Sequence, residues 1–408
     1  MPLDRVKDMA THAPFVSLIA LLLLLQRPIF IFIQAIRHKT LVIPGWKTGL
    51  LFAALILSAF ISYNTAFSKP VALTASLLLI FVLVRGWVMA AFIKAKELEL
   101  FEKFVVFMGL IVTLFGFYQY IADVLGVSTT WTLLSSQYTS TSTYVFPRVQ
   151  SFALEPLYLA HYLLLPIGIL LIRFLTKRTN PSKVERASLI LMLALFILSL
   201  SRGAILGLIL SIITLVVCAR SIRLLKYLAT TLVVSILIVV GSVWFAGTAH
   251  HQKALSSFGG HAVNLNDASA RTRYDLWPPA LKLFEQNPVD GVGLNNSRLL
   301  LHGADKATTG SRLDTLQPVN NDYLAYLAEE GLIGILLIVP LLSAILFAVY
   351  KTIREKFLHP SAPYVFAAVG MAFEANAFQS LLLLRTWVVV GLILAGQRIY
   401  SEAHQKTA

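Results

Sequence analysis

The sequence from residue 331 to residue 350 is GLIGILLIVPLLSAILFAVY, twenty residues with no charged side chain. A helix of that length rises about 30 Å, which matches the hydrocarbon thickness of a bilayer. The whole chain is similar in character: of its 408 residues 57% are hydrophobic and 13% are charged, and the mean hydropathy is +0.75. These values exclude an ordinary soluble domain and predict an all-α polytopic membrane protein.

Apolar runs of helix length continue outward from this stretch in both directions. The predicted spans are 14–36, 48–64, 71–93, 103–125, 153–173, 187–200, 203–219, 227–246, 331–350, 362–380 and 384–400. Gln26-Arg27-Pro28 interrupts the first run, so two half-helices there would make twelve spans instead of eleven, with both termini on one side. We favour twelve. The sequence thus predicts about 11–12 transmembrane helices in one membrane domain over 1–408.

Basic residues mark every second connection between the predicted spans, which is typical of cytoplasmic loops. They are Arg37, Lys39 and Lys47; Lys94, Lys96 and Lys103; Arg173, Lys177, Arg178, Lys183 and Arg186; Arg220, Arg223 and Lys226; and Lys351, Arg354 and Lys356. The alternate connections hold few basic residues. The net charge of +14 therefore reflects membrane topology and does not indicate nucleic-acid binding.

The long polar segment Gly247–Asp322 is predicted to be an extracytoplasmic loop, 247–322, inserted between two spans. It holds seven Lys or Arg and seven Asp or Glu, so it is electrically balanced. It is also the one polar stretch long enough to build a site on one side of a membrane, and we expect the chemistry to face that side. The single cysteine, Cys218, excludes a disulfide within this loop.

Two short segments at the outer ends of spans carry charge. Arg148 and Glu155-Pro156 lead into the span near Leu157, and a helix start with an acid near its positive dipole end explains the same residues equally well. Ser201-Arg202-Gly203 separates two apolar runs that are barely long enough to cross. A guanidinium there needs an anionic partner or a wet cavity, and intramembrane charges are functional candidates; snorkelling to the headgroups is the alternative.

The long loop contains two further candidates. Arg271 and Arg273 begin an amphipathic helix that runs to Phe284, and two arginines can bind a diphosphate through paired hydrogen bonds. A solvated helix end that pairs with Asp275 or Asp267 is the simpler interpretation of those arginines alone. Asn320-Asn321-Asp322 begins a second helix, Tyr323–Glu330, which ends in Gly331-Leu-Ile-Gly334 before the next span. The Asn and Asp side chains either cap this helix or line the same cavity as Arg202.

In order and spacing, these segments resemble the O-antigen ligase / O-antigen polymerase superfamily. The motifs are Arg148 with small-Phe-x-x-Glu-Pro, Ser201-Arg202-Gly203, Arg273-x-x-x-Trp277 with Asn-Pro-x-x-Gly-x-Gly, and Asn320-Asn-Asp-Tyr-Leu followed by Glu330-Gly-Leu-Ile-Gly334. The motifs cover roughly residues 148–340. Gly291 and Gly293 on their own resemble a phosphate loop only superficially, because no strand precedes them.

The resemblance implies a glycosyltransferase of the multi-span, C-type class, in the bacterial cytoplasmic (inner) membrane with its active face outside. Such an enzyme transfers an undecaprenyl-diphosphate-linked glycan to a hydroxyl of a lipid A core, as a ligase, or of another lipid-linked glycan, as a polymerase. A flippase and a chain-length regulator are candidate partners. Arginines can stabilise the leaving diphosphate, so we expect no metal and no cofactor.

We assign diphosphate binding to Arg148, Arg202, Arg271 and Arg273, and catalysis to Glu155, Asn320 and Asp322. Ligases typically carry a histidine where this chain has Asn320, and an amide does not accept a proton at neutral pH. Glu155 becomes the candidate base, and the missing histidine tilts the expectation mildly towards a polymerase or a related exopolysaccharide or glycan-capping transferase. A lipid-linked glycan transporter and a non-catalytic assembly protein of the same pathway stay open as alternatives.

Overall fold

The computed structural model describes residues 45–140, 146–176, 181–250, 254–263, 274–304 and 316–405. Within them the helices are α1 (Trp46–Thr65), α2 (Lys69–Phe92), α3 (Ala95–Val124), α4 (Thr129–Thr132), α5 (Pro156–Thr176), α6 (Lys183–Leu198), α7 (Arg202–Ala219), α8 (Ile222–Ala249), α9 (Ala254–Val263), α10 (Trp277–Gln286), α11 (Ser297–Leu301), α12 (Asp322–Arg354), α13 (Ala362–Glu374) and α14 (Leu384–Gln405), with a 3-10 turn at Ser136–Tyr138. These residues contain no strand, which confirms the all-α class.

Each of the ten predicted spans that falls within the described residues coincides with a helix. Seven of these helices are long and apolar enough to cross a membrane, namely α1, α2, α3, α5, α7, α8 and α12. The predicted span 14–36, with its break at Gln26-Arg27-Pro28, lies outside the described residues. The predicted span 362–380 is too long, because α13 ends at Glu374 and the chain leaves the helix there.

Helix α5 lies at the centre of the bundle, and most of its residues are buried. Small residues let neighbouring helices approach backbone to backbone, as is common in membranes. A Cβ built on Gly207 of α7 would lie 2.5 Å from the carbonyl oxygen of Gly370 in α13. Gly391 of α14 approaches Gly86 of α2 in the same way. These crossings fix α13 and α14 against the rest of the bundle.

Helix α12 is broken at Gly331, whose φ of 62° and ψ of −162° are not helical. The turn at 287–293 supplies the hydrogen bonds that the break removes. The backbone N–H of Val292 donates to the carbonyl of Ala328 at 3.1 Å, and that of Gly293 donates to Glu329 at 3.0 Å. In the other direction, Leu332 donates to Pro288 at 2.9 Å and Ile333 donates to Val289 at 3.0 Å. A Cβ on Gly331 would lie 2.5 Å from the carbonyl oxygen of Val289. The two glycine-rich motifs are therefore one folded unit.

The predicted outer segments meet at one end of the bundle. Phe67, between α1 and α2, donates its N–H to Val292 at 3.1 Å, and Asp322 donates its N–H to Ala375 at 2.8 Å. The opposite end holds its own polar contacts, where the Tyr364 hydroxyl donates to Glu102 at 2.9 Å. Arg173 lies 3.4 Å from the same carboxylate. The two sets of connections that the basic residues distinguish are thus also separated in space.

Candidate functional site

Arg148 contacts the turn that precedes α7. Its guanidinium lies 3.5 Å from the carbonyl oxygens of both Ser199 and Leu200, and 5.6 Å from the centre of the Tyr138 ring. Leu200 has a φ of 51°, in the left-handed region, so the chain turns sharply before Arg202. Arg148 and Ser201-Arg202-Gly203, which are far apart in the sequence, therefore lie side by side.

Arg202 is the first residue of α7 and is half-buried. Its neighbour Gly203 faces the non-helical segment that follows α13, since a Cβ built on Gly203 would lie 3.2 Å from that of Ala377. We call residues 375–383, between α13 and α14, the strap. The strap thus contacts the Arg202 motif at Gly203, whereas Arg148 contacts the turn that precedes it.

The strap also holds Asp322. Its carboxylate accepts hydrogen bonds from the N–H of Ser380 at 2.9 and 2.8 Å, from the Ser380 hydroxyl at 2.5 Å and from the N–H of Leu381 at 3.2 Å. The Asp322 N–H donates to the strap carbonyl of Ala375. Arg148, Arg202, Asp322 and the strap together form what we call the strap site.

Asn320 and Asn321 have different structural roles at the start of α12. Asn321 caps α12, because its side-chain oxygen accepts the N–H bonds of Tyr323 and Leu324, both at 3.1 Å. This confirms the predicted cap. Asn320 is half-buried and has a φ of 50°, a conformation that asparagine adopts more readily than most residues. Asn320 thus lies beside the helix start that carries Asp322.

Glu155 precedes α5, and its side chain is exposed. Pro156 is the first residue of that helix, as predicted, and the Glu155 carbonyl accepts the N–H of Leu159 at 3.3 Å. One turn into the helix, the carbonyl of Tyr158 accepts a 2.7 Å hydrogen bond from Arg385 at the start of α14. The strap leads directly into Arg385, so the Glu155 end of α5 adjoins the strap as well.

Arg271 and Arg273 lie outside the described residues, so their distance from the strap site stays a prediction. The helix that follows them is described as α10, with Ala280 buried against Val319 and Ala325. Since Ala325 belongs to the first half of α12, α10 packs beside the helix start that carries Asp322.

An apolar groove of about 300 Å³ begins beside the strap site. It lies between α12, α13 and α14. Asp322 and Ser380 line its polar end, and Leu341, Ile345 and Trp387 are among the side chains that line the rest. The groove therefore extends from the strap site into the interior of the bundle.

Three ionisable residues beside the strap were not singled out from the sequence. His161 of α5 and Glu374 of α13 form a buried pair at 2.7 Å, and Arg385 contacts the adjoining turn of α5. The available signal was an ionisable residue inside an apolar run, since His161 and Glu374 fall within the predicted spans 153–173 and 362–380.

Comparison with known families gives one match within the bundle. Residues 187–339 match the family model described as O-antigen ligase, a range that includes Arg202, Asn320 and Asp322. No curated protein matches the chain. The match confirms the resemblance that the motifs indicated. The chain is a multi-pass membrane protein that is similar, over residues 187–339, to the glycosyltransferase-like O-antigen ligases and polymerases, and its general role is lipid-linked glycan transfer.

Proposed function

We propose that the protein transfers an undecaprenyl-diphosphate-linked glycan to an acceptor hydroxyl at the outer face of the bacterial cytoplasmic membrane. The observation that carries this proposal is the strap site, in which the strap contacts Gly203 beside Arg202 and donates hydrogen bonds to the Asp322 carboxylate. Arg148 contacts the turn before Arg202. The segments that carry Arg148 and Arg202 thus adjoin each other, and the strap joins the second of them to Asp322, at the end of the bundle where the predicted outer connections lie.

The chemistry needs fixed positive charge at the leaving group. The acceptor oxygen attacks the anomeric carbon, the bond from that carbon to the diphosphate oxygen breaks, and the electron pair leaves with the diphosphate. Arg148 and Arg202, with Arg271 and Arg273 from the long loop, would stabilise that developing charge. A guanidinium suits this role because its planar donors match phosphate oxygens.

The acceptor hydroxyl also has to lose its proton. We assign that proton to Glu155, whose exposed carboxylate precedes α5 at the same end of the bundle. Asn320 and Asp322 would orient the acceptor sugar by hydrogen bonds. Ser380 and Leu381 already hold the Asp322 carboxylate in place by hydrogen bonds. A carboxylate fixed in this way suits the role of orienting the acceptor.

The apolar groove supports a substrate with a hydrocarbon chain. It begins beside Asp322 and extends along the same helix to Ile345, and its walls are formed by the three helices α12, α13 and α14. An isoprenoid chain in such a groove would stay in an apolar environment while its polar group stayed at the strap site. A glycan transporter would need a comparable path, so the groove alone does not distinguish the two functions.

Asn320 bears on the choice between polymerase and ligase. It occupies the position at which ligases typically carry a histidine, and it gives the acceptor an amide instead of a titratable ring. We favour a polymerase or a related glycan-capping transferase, with the acceptor being a second lipid-linked glycan.

The decisive experiment supplies purified protein in detergent with a synthetic undecaprenyl-diphosphate-linked glycan and one of two acceptors. A second lipid-linked glycan as productive acceptor would support the polymerase, and a lipid A core as productive acceptor would establish the ligase. Formation of a glycosidic product with release of undecaprenyl diphosphate is the expected result. Donor binding or flipping in vesicles without any product would overturn the transferase in favour of a transporter.

A further inference from the structure

Two ionisable side chains are completely buried beside the strap. His161 in α5 and Glu374 at the end of α13 are each 0% exposed, and the His161 Nδ1 lies 2.7 Å from a Glu374 carboxylate oxygen. The other polar atoms of the pair, His161 Nε2 and the second carboxylate oxygen of Glu374, have no hydrogen-bond partner among the described residues. Such a pair is expensive to bury, and well-packed apolar side chains of the same size are often at least as stabilising. Ionisable residues at membrane depth are therefore candidates for function.

The His161–Glu374 pair lies where the strap begins. Glu374 is the last residue of α13, and Ala375, the first residue of the strap, accepts the backbone N–H of Asp322. The strap returns to the same part of α5 three residues later, since the Phe378 ring lies 5.4 Å from the His161 ring and 5.0 Å from the Tyr158 ring. The pair thus anchors the strap at a point next to its bond with Asp322.

The far end of the strap is anchored on the same helix. Arg385 donates to the Tyr158 carbonyl, and its guanidinium lies 5.2 Å from the centre of the Tyr158 ring. Between the two anchors, Ala377 meets Gly203 and Ser380 binds Asp322. A strap that is fixed at both ends on α5 holds the Arg202 and Asp322 motifs at a set distance from each other.

We propose that His161 and Glu374 are positioning residues for glycan transfer: their buried hydrogen-bonded pair fixes the strap, and the strap holds Asp322 beside Arg202. This inference rests on the proposed function for its effect on turnover, while its structural half concerns the strap alone. Neither residue touches substrate. Their loss should lower turnover more than it weakens donor binding, because Arg148 keeps its contacts with the turn before α7, which involve neither residue of the pair.

A double-mutant cycle tests whether the two residues act as one unit. The variants are His161→Ala, Glu374→Ala and the double variant, each compared with Tyr364→Phe, which removes a buried hydrogen bond from the opposite end of the same helix α13. We expect each single variant to lower kcat by at least about tenfold, with donor affinity and Tm close to those of Tyr364→Phe. The double variant should be no worse than either single variant.

Hydrogen–deuterium exchange of 375–383 provides the second readout. The Ser380 and Leu381 amides are bonded to Asp322, so loss of the anchor should accelerate their exchange in both single variants and leave it unchanged in Tyr364→Phe. Conservative Glu374→Gln, which can keep the hydrogen bond, should restore slow exchange. Unchanged exchange together with a kcat within twofold of the parent would overturn the proposal. Losses of kcat that add up in the double variant and that parallel the decrease in Tm would overturn it as well.

If the parent protein itself were inactive in the transfer assay, the proposed transferase function would be overturned. The exchange measurement would still decide whether the His161–Glu374 pair fixes the strap. Unchanged exchange in that case would overturn the positioning role as well.

Discussion

Ser380 donates its hydroxyl to the Asp322 carboxylate at 2.5 Å and its backbone N–H to the same oxygen at 2.8 Å, across 58 positions of the chain. The bond joins the first turn of α12 to the strap that follows α13. It also explains how a carboxylate comes to be held at the start of a membrane helix, because four donor contacts from Ser380 and Leu381 replace its water shell.

Replacing Ser380 with alanine should destabilise the protein by about 1–3 kcal/mol, since it removes a charge-assisted hydrogen bond from a carboxylate held by the strap. Thermal unfolding in detergent measures the effect. Ser401→Ala is the matched control: its hydroxyl is exposed, donates to the Arg398 carbonyl at 2.8 Å, and should matter by less than about 0.5 kcal/mol. Equal stability of the two variants would mean that the Asp322–Ser380 bond contributes nothing.

Gly331→Ala should destabilise the protein by at least about 2 kcal/mol, because φ is positive at the helix break and the new Cβ would collide with the carbonyl of Val289. Gly241→Ala in α8 is its control, since a Cβ there meets open space. That variant should be neutral, or more stable by up to about 1 kcal/mol through helix propensity. A neutral Gly331→Ala in the same thermal assay would contradict the break as described.

The positions of the spans could be predicted because lipid imposes length and hydropathy on every crossing. The end of a helix at Gly331 was predicted as well, and the structure confirms it. The hydrogen bonds that replace the helix there could not be predicted, because they come from the turn at 287–293. The strap was hidden for a similar reason. Residues 380–384 are Ser-Leu-Leu-Leu-Leu, an apolar run that gives no sign of a non-helical segment. The contacts of Ser380 and Leu381 with Asp322 are set by tertiary structure.

The candidate site was predicted in part. The motifs identified Arg148, Arg202 and Asp322, and the structure brings their segments together around the strap. Spacing along the sequence could not show this, because the residues that bridge them, such as Ala377 and Ser380, belong to no motif. The buried His161–Glu374 pair was missed because each residue is a single ionisable position within a predicted span and belongs to none of the motifs.

The regular alternation of basic connections predicts that 247–322 and Arg148 face outward while Lys177–Arg186 faces the cytoplasm. Single cysteines in a Cys218→Ser background test this in intact cells with a membrane-impermeant thiol reagent. Glu285→Cys should be labelled, and Lys183→Cys should be labelled only after permeabilisation; both side chains are exposed. Labelling near Arg178 or Lys183 in intact cells would reverse the topology.

Arg202→Lys should lower turnover by about 30-fold to 1,000-fold, which corresponds to about 2–4 kcal/mol of transition-state stabilisation. A point charge does not reproduce the planar donors that bind a diphosphate. Arg220→Lys, at the exposed far end of the same helix α7, is the control and should be unaffected. Arg273→Lys should behave as Arg202→Lys does. If both lysine variants kept full activity at normal expression, Arg202 and Arg273 would have structural or snorkelling roles instead.

Glu155→Gln separates a catalytic base from a structural carboxylate, because it keeps the shape and the hydrogen bonding of the side chain but removes its proton affinity. If Glu155 accepts the proton of the acceptor hydroxyl, turnover should fall by about 100-fold or more while donor binding stays intact. Steady-state kinetics and direct donor binding measure the two effects separately. Glu185→Gln, an acid in the first turn of α6 at the opposite end of the bundle, serves as the control. Near-normal turnover of Glu155→Gln would make Glu155 structural and shift the search for the base to Asp322, where Asp322→Asn applies the same test.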